Sequence, residues 1–291
     1  MTPMDGKRSL LWLSVVVTLV ATGGANCSQM VRPPMPPVLH ASPSIEEVVK
    51  TVNDNSRQIQ SFSTNQASIK VPGAPTLRAN LAMQRPRRFR LQAETLMGPE
   101  LDVGSNEELF WFWIRQSQEP GVYYCRHGEF DSSRAQRMIP VSPDQLVEAM
   151  GLMELNPALP HQGPFTRPDG RLEIHTIVDT PSGPNKKVTI IDQNYGWVLA
   201  QHFYDSHNNP LLSVNAQDHR QDPLSGLVMP KKVLIECPRS QFRMEVVLGD
   251  VEINTLSQDR GQLWKMPAYR GSPPIDLGCA AAPAQTTYAR Q

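Results

Sequence analysis

The sequence predicts an α+β protein: one large curled antiparallel sheet of about eleven strands, with helices covering its concave face. Three observations carry this. Apolar and polar residues alternate with period two through successive short segments. Turn-forming residues separate those segments. Two further stretches show helical apolar spacing behind capping residues.

The first helix is expected from Ser44, which has the capping-box spacing to Glu47. Ile45, Val48, Val49 and Val52 form its apolar stripe, which Ile59 and Phe62 resume. A second helix is expected in "SPDQLVEAMGLM", with Ser142 as cap, Pro143 at the first helical position and Gln145 closing the box. Leu146, Met150 and Met153 share its apolar face.

Strand patterns fill most of the remainder. In "LRANLAMQR", Leu77, Ala79, Leu81 and Met83 face one way and Arg78, Asn80 and Gln84 the other. "RFRLQAETLM" sets Phe89, Leu91, Ala93, Thr95 and Met97 against Arg88, Arg90, Gln92 and Glu94. "QFRMEVVLGD" places Phe242, Met244, Val246 and Leu248 on one face. The turns "RPR", "QNYG" and "SHNNP" break the runs into an antiparallel meander with one dry face. A sheet this wide twists and curls, so helices can sit in its hollow.

"NEELFWFWIRQ" departs from alternation, because Leu109, Phe110, Trp111, Phe112, Trp113 and Ile114 are all apolar. One face of this strand can pack on the helices. The other needs a further strand layer, a loop, or another molecule over it.

The ends of the chain read differently. Lys7 and Arg8 precede "LLWLSVVVTLVA" and the small-residue stretch "TGGAN", the pattern of an export signal peptide over residues 1–26. "GGANC" resembles a bacterial lipobox with Cys27 as the acylated residue, although Asn26 and Gly24 depart from it. The alternative is ordinary cleavage after Ala25. Acylation is favoured because residues 28–43, rich in proline, form a stiff spacer behind Cys27. Residues 44–270 are expected to form one domain, and 271–291 a disordered tail. With 28 basic and 28 acidic side chains the chain lacks the cationic footprint of a general nucleic-acid binder. Cys125, Cys237 and Cys279 match no zinc spacing; one bridge is possible, Cys125 to Cys237 being the pair in expected strands.

Several phrases together resemble the bacterial lipoprotein-localisation superfamily, the LolA/LolB/RseB-like carriers, receptors and regulators of the envelope. "SIEEVVKTVNDNSRQIQSFS" looks like its opening helix, running into a strand at "TNQASIKV". "QRPRRFRLQAETLMGPELDVGSNEELFWFW" is similar to its proline–x–x–phenylalanine–arginine strand and the aromatic strand that follows. "LVMPKKVLIE" and "VEINTLSQDRGQLWKMP" resemble its closing strands, with Trp264 where phenylalanine is more usual. The resemblance implies an unclosed half-barrel lidded by helices, an apolar cavity for acyl chains, no cofactor and no enzyme activity.

On that reading Leu81, Met83, Phe89, Leu91, Met97, Phe110, Trp111, Phe112, Trp113, Met150 and Met153 are the ligand-binding candidates, as inward residues or adaptable methionines. Taken singly, each of them reads first as plain core, and only an unfilled cavity would favour a ligand. Arg85, Arg87 and Arg88 are candidates for contact with lipid phosphates, or else a solvated hairpin end. No GxSxG, HExxH or phosphate-binding glycine loop occurs, and no histidine pair has helical metal spacing. A hydrolase built from scattered residues such as Asp192, Asp205 and Glu236 is the remaining enzymatic alternative. The expected product is a monomeric, non-enzymatic protein on the periplasmic side of the envelope, held to the outer membrane by its N-terminal lipid. Its partner is an acyl chain or lipoprotein. The alternative is a structural or regulatory envelope lipoprotein whose groove binds a protein segment or is filled by its own side chains.

Overall fold

Ser44 accepts a hydrogen bond on its Oγ from the Glu47 N–H at 3.2 Å, and helix α1 (Ile45–Gln58) begins there as its capping pattern requires. The computed structural model describes residues 36–132, 134–139, 141–180, 183–256 and 261–278. The expected signal peptide, Cys27 and Cys279 lie outside these, as do most of the spacer and residues 279–291.

Six strands follow α1: β1 (Ser61–Lys70), β2 (Leu77–Gln84), β3 (Arg88–Thr95), β4 (Gly98–Ser105), β5 (Leu109–Ile114) and β6 (Val122–Arg126). A helical cover comes next. It comprises a 3-10 turn over His127–Ser132, α2 (Ala135–Met138), α3 (Pro143–Val147) and a widened turn over Glu148–Leu152. Then come β7 (His161–Thr166), β8 (Leu172–Thr180), β9 (Gly183–Ile191), β10 (Val198–Tyr204) and β11 (Pro210–Gln217). The chain closes with β12 (Arg220–Gln221), β13 (Val228–Met229), β14 (Lys232–Cys237), β15 (Phe242–Val247), β16 (Glu252–Ile253) and β17 (Pro274–Asp276).

Fifteen of these strands form one sheet in the order β17-β6-β5-β4-β3-β2-β1-β15-β14-β11-β10-β9-β8-β7, with β16 pairing β1. Its pairs are antiparallel apart from β17 on β6. The end strands do not pair with each other, so the sheet stays unclosed. It curves enough that β1–β6 on one side and β11, β14 and β15 on the other share one apolar cluster with the cover. This is the curled sheet-and-lid architecture that the alternation implies.

Four details differ from the sequence expectation. The sheet has 15 strands rather than about eleven, because strands of two or three residues such as β16 and β17 are too short to show alternation; β12 and β13 pair apart from it as a two-stranded ribbon. Helix α1 stops at Gln58: Ile59 is its cap residue, and Phe62 already belongs to β1. The second helix keeps its capping box, Ser142 with Gln145, but runs only to Val147. Gly151 then takes φ 98°, and a Cβ there would come 2.7 Å from the Pro230 ring. A left-handed residue ends α-helical geometry, and only glycine adopts it without strain. Lastly, the segment from residue 271 is not wholly a disordered tail, since Pro274–Asp276 pair with Val122–Tyr124.

No disulfide joins Cys125 to Cys237. They sit in β6 and β14, with six strands between them in the sheet order. Both are buried, and burial pushes the Cys237 thiol up to about 11.

Candidate functional site

The alternating faces of β2, β3 and β5 bring Leu81, Met83, Phe89, Leu91, Phe110 and Phe112 together on the concave side. The cover meets them with Phe130, Val141, Leu146, Ala149, Met150 and Leu152. Phe110 meets the Phe130 ring edge-on at 6.2 Å, and Phe112 stacks on Tyr123 at 5.1 Å. Six of the expected ligand-binding residues therefore form one apolar surface under the cover and a seventh, Met150, meets them from the cover, each no more than 4% exposed. Burying one such side chain contributes about 1.5–3 kcal/mol.

The other four lie elsewhere. Met97 is 84% exposed, beside Leu96 at 98%, on the two-residue turn between β3 and β4. Its alternation ended one residue before the turn, so the face assigned to it does not exist there. Met153 packs in a second cluster with Val48, Val49 and Val52 of α1 and with Leu172, Ile174 and Ile191 of β8 and β9. The helical stripe of α1 thus covers the β8–β9 end of the hollow.

Trp111 and Trp113 point to the outer face. There the segment after residue 261 lies over them. Tyr269 stacks on Trp113 at 3.9 Å, and the Trp113 indole N–H donates to Ser272 Oγ at 3.0 Å. The Arg90 guanidinium sits 5.4 Å from the Trp111 ring. Arg90 also donates to Asp102 at 2.6 Å and to the Leu263 and Lys265 carbonyls, while the Tyr269 hydroxyl donates to Asp102 at 2.7 Å. Burial, and then Asp102 beside it, push the Tyr269 phenol up. What covers the second greasy face of β5 is the chain's own C-terminal segment.

Beside this segment a cavity of about 370 Å³ opens on the outer face, lined by Ser63, Asn65, Asn80, Arg90, Gln92, Asp250 and Glu252 among others. Leu81, Ala82, Val251 and Leu263 share the lining with these polar side chains, so its wall is mixed rather than dry.

The three arginines separate. Arg85 donates to the Ile59, Ser56 and Leu152 carbonyls and pairs with Glu154 at 2.8 Å, tying the end of α1 to the end of the cover. Arg87 stands 3.9 Å from Asp144 and is half exposed, and Arg88 pairs with Glu107 at 2.5 Å. Arg85 is thus a structural clamp, leaving Arg87 and Arg88 as the candidates facing solvent.

Sequence reasoning missed a polar band on the concave face. Cross-strand register sets Thr176, Lys187 and Phe203 in one row, with Thr189 and Gln201 in the next. Lys187 donates to Glu148 of the cover at 2.5 Å. The signal was present in "KKVTII": Lys187 and Thr189 fall on the same face as Ile191, where dry alternation needs apolar residues.

Asp192, Asp205 and Glu236 stay apart. Asp192 caps the β9–β10 turn, Asp205 the β10–β11 turn, and Glu236 pairs with Arg243 at 3.2 Å. Among the described residues no group of three or more His, Cys, Asp or Glu side chains is placed to hold a metal. No helix among them is long and apolar enough to cross a membrane.

No protein-family model matches the chain, and no curated protein does. Solved structures do. A domain described as an outer membrane lipoprotein-sorting protein from Vibrio parahaemolyticus is 12% identical with a TM-score of 0.51, over 76% of this chain and 100% of that one. A DUF1329 family protein from Desulfovibrio piger is 12% identical with a TM-score of 0.49, over 76% and 99%. A LolA superfamily protein from Nitrosomonas europaea is 11% identical with a TM-score of 0.45, over 75% and 97%. The first of these carries the conclusion about architecture: the chain is similar in fold to a lipoprotein-sorting domain.

Proposed function

We propose that the protein is a non-enzymatic component of the cell envelope that holds an acyl chain, or the lipidated end of a lipoprotein, between the concave sheet face and its helical cover. One observation carries this reading. The apolar surface built from Leu81, Met83, Phe89, Leu91, Phe110, Phe112 and Met150 is closed by helices of only four and five residues. Helices that short are held chiefly by packing against the sheet, and a hydrocarbon chain can replace that packing at about 0.8 kcal/mol for each buried methylene. The fold likeness to a lipoprotein-sorting domain supports the same reading. Export by the N-terminal signal and acylation at Cys27 would hold the domain at the periplasmic face of the outer membrane, as a monomer on a proline-rich tether. Leu96 and Met97, exposed at the β3–β4 tip, suit contact with a lipid surface.

A second reading is favoured by the burial of those seven side chains against the chain's own cover. In that reading the groove is self-filled and the protein is a structural or regulatory lipoprotein.

Mass analysis of lipid extracted from the full chain, purified from an exporting bacterial host, separates the two. The acyl-binding reading expects a co-purified acyl lipid and saturable binding of a fluorescent fatty acid. Absence of both leaves the self-filled reading. Intact mass of the same sample tests the anchor, through a mature terminus at Cys27 with added acyl mass.

A further inference from the structure

Thr176, Lys187, Thr189 and Gln201 are each more than nine-tenths buried on the concave face, between the apolar cluster under the cover and the one under α1. Lys187 Nζ is met by Glu148 Oε2 at 2.5 Å and lies 5.2 Å from the Phe203 ring centre. Thr189 Oγ1 and Gln201 Oε1 have no hydrogen-bond partner among the described residues. A buried ammonium and two unmet polar atoms cost free energy that apolar side chains of similar size would not. Such a cost persists where the groups meet something in the working state. Glu148 is about one-third exposed and belongs to the cover, so moving the cover takes its carboxylate away from Lys187.

We propose that this band is a carboxylate site and that Glu148 is a stand-in for the carboxylate of a long-chain fatty acid. When such a chain enters, its carboxylate pairs with Lys187 in place of Glu148. The Thr189 hydroxyl turns to donate to it, and the Gln201 amide rotates to present N–H. The tail then runs along the neighbouring apolar surface. This rests on the acyl-binding reading above and adds to it the chemistry of the head.

The test compares dodecanoate with dodecanol, whose equal tails cancel, by titration calorimetry on the full chain. The wild type is expected to prefer dodecanoate by about tenfold, the yield of one charge-assisted contact. Lys187→Met should bring the ratio to about one, while Glu148→Gln, which removes the competing charge, should raise it about threefold. A ratio unchanged by Lys187→Met overturns the carboxylate site while leaving acyl binding intact. Should Lys187→Met lose its circular dichroism, Glu148→Gln decides alone, and an unchanged ratio again overturns the proposal. If neither amphiphile binds any form, the acyl-binding reading fails and the carboxylate site with it.

Discussion

Arg90 and Asp102 face each other on the outer side of β3 and β4, where an exposed strand face would ordinarily leave both in water. Here the C-terminal segment buries them: the Asp102 carboxylate is fully covered and receives Arg90, Gln92 and Tyr269. Removing one charge of such a pair strands the other, so Asp102→Asn should destabilise the protein by about 3–5 kcal/mol. A urea denaturation midpoint reads this, and Arg90→Leu combined with Asp102→Leu should recover most of the loss. Arg90 was visible in the sequence as a polar member of an alternating strand, and the register sets Asp102 opposite its neighbour Gln92. The burial of the pair was not visible in the sequence, because alternation reports which face a side chain takes and says nothing of what lies above it.

The covering segment is an element the sequence hid, having no periodicity and several prolines. It is held by aromatic stacking, by Arg90 and by parallel pairing of β17 with β6. Its bed is shaped to match. An added Cβ at Gly104 would come 2.3 Å from the Trp111 ring, so the indole lies flat over the glycine. Gly104→Ala should push Trp111 toward the segment, costing about 1–3 kcal/mol as overpacking and shifting the tryptophan emission to the red. An unchanged emission spectrum would contradict this. The helical elements were legible at their starts, where Ser44 and Ser142 both cap as their spacing implies. Their ends were less so. Gly151 marks the stop only once its neighbour Pro230 is known.

At the scale of the whole sheet, the concave face carries two apolar clusters. Helix α1 covers the cluster at the β8–β9 end, and the short helices cover the other. These covers differ in strength. Helix α1 has 14 residues and a capped start, whereas α2 and α3 have four and five. Native-state hydrogen exchange should therefore show the α2 and α3 amides exchanging faster than those of α1 and of β1–β5, with mass spectrometry on peptic fragments as the measurement. Equal protection throughout would mean that the cover opens only with global unfolding, which would weaken any route for a ligand beneath it.

By itself the sequence determined the faces of the strands, the caps of the helices and the curled sheet with one dry side, since these depend on spacing between near neighbours. Only the tertiary structure decided that Trp111 and Trp113 turn away from the hollow, that Met97 stands in water and that Arg85 clamps α1 to the cover. It also set Lys187, Thr189 and Gln201 as a polar band within the hollow. Apart from Met97, whose exposure follows from the local β3–β4 turn, each of those outcomes rests on contact between segments far apart in the chain. Local pattern orients a side chain, but the long-range partner that arrives over it sets whether it meets water, protein or a ligand.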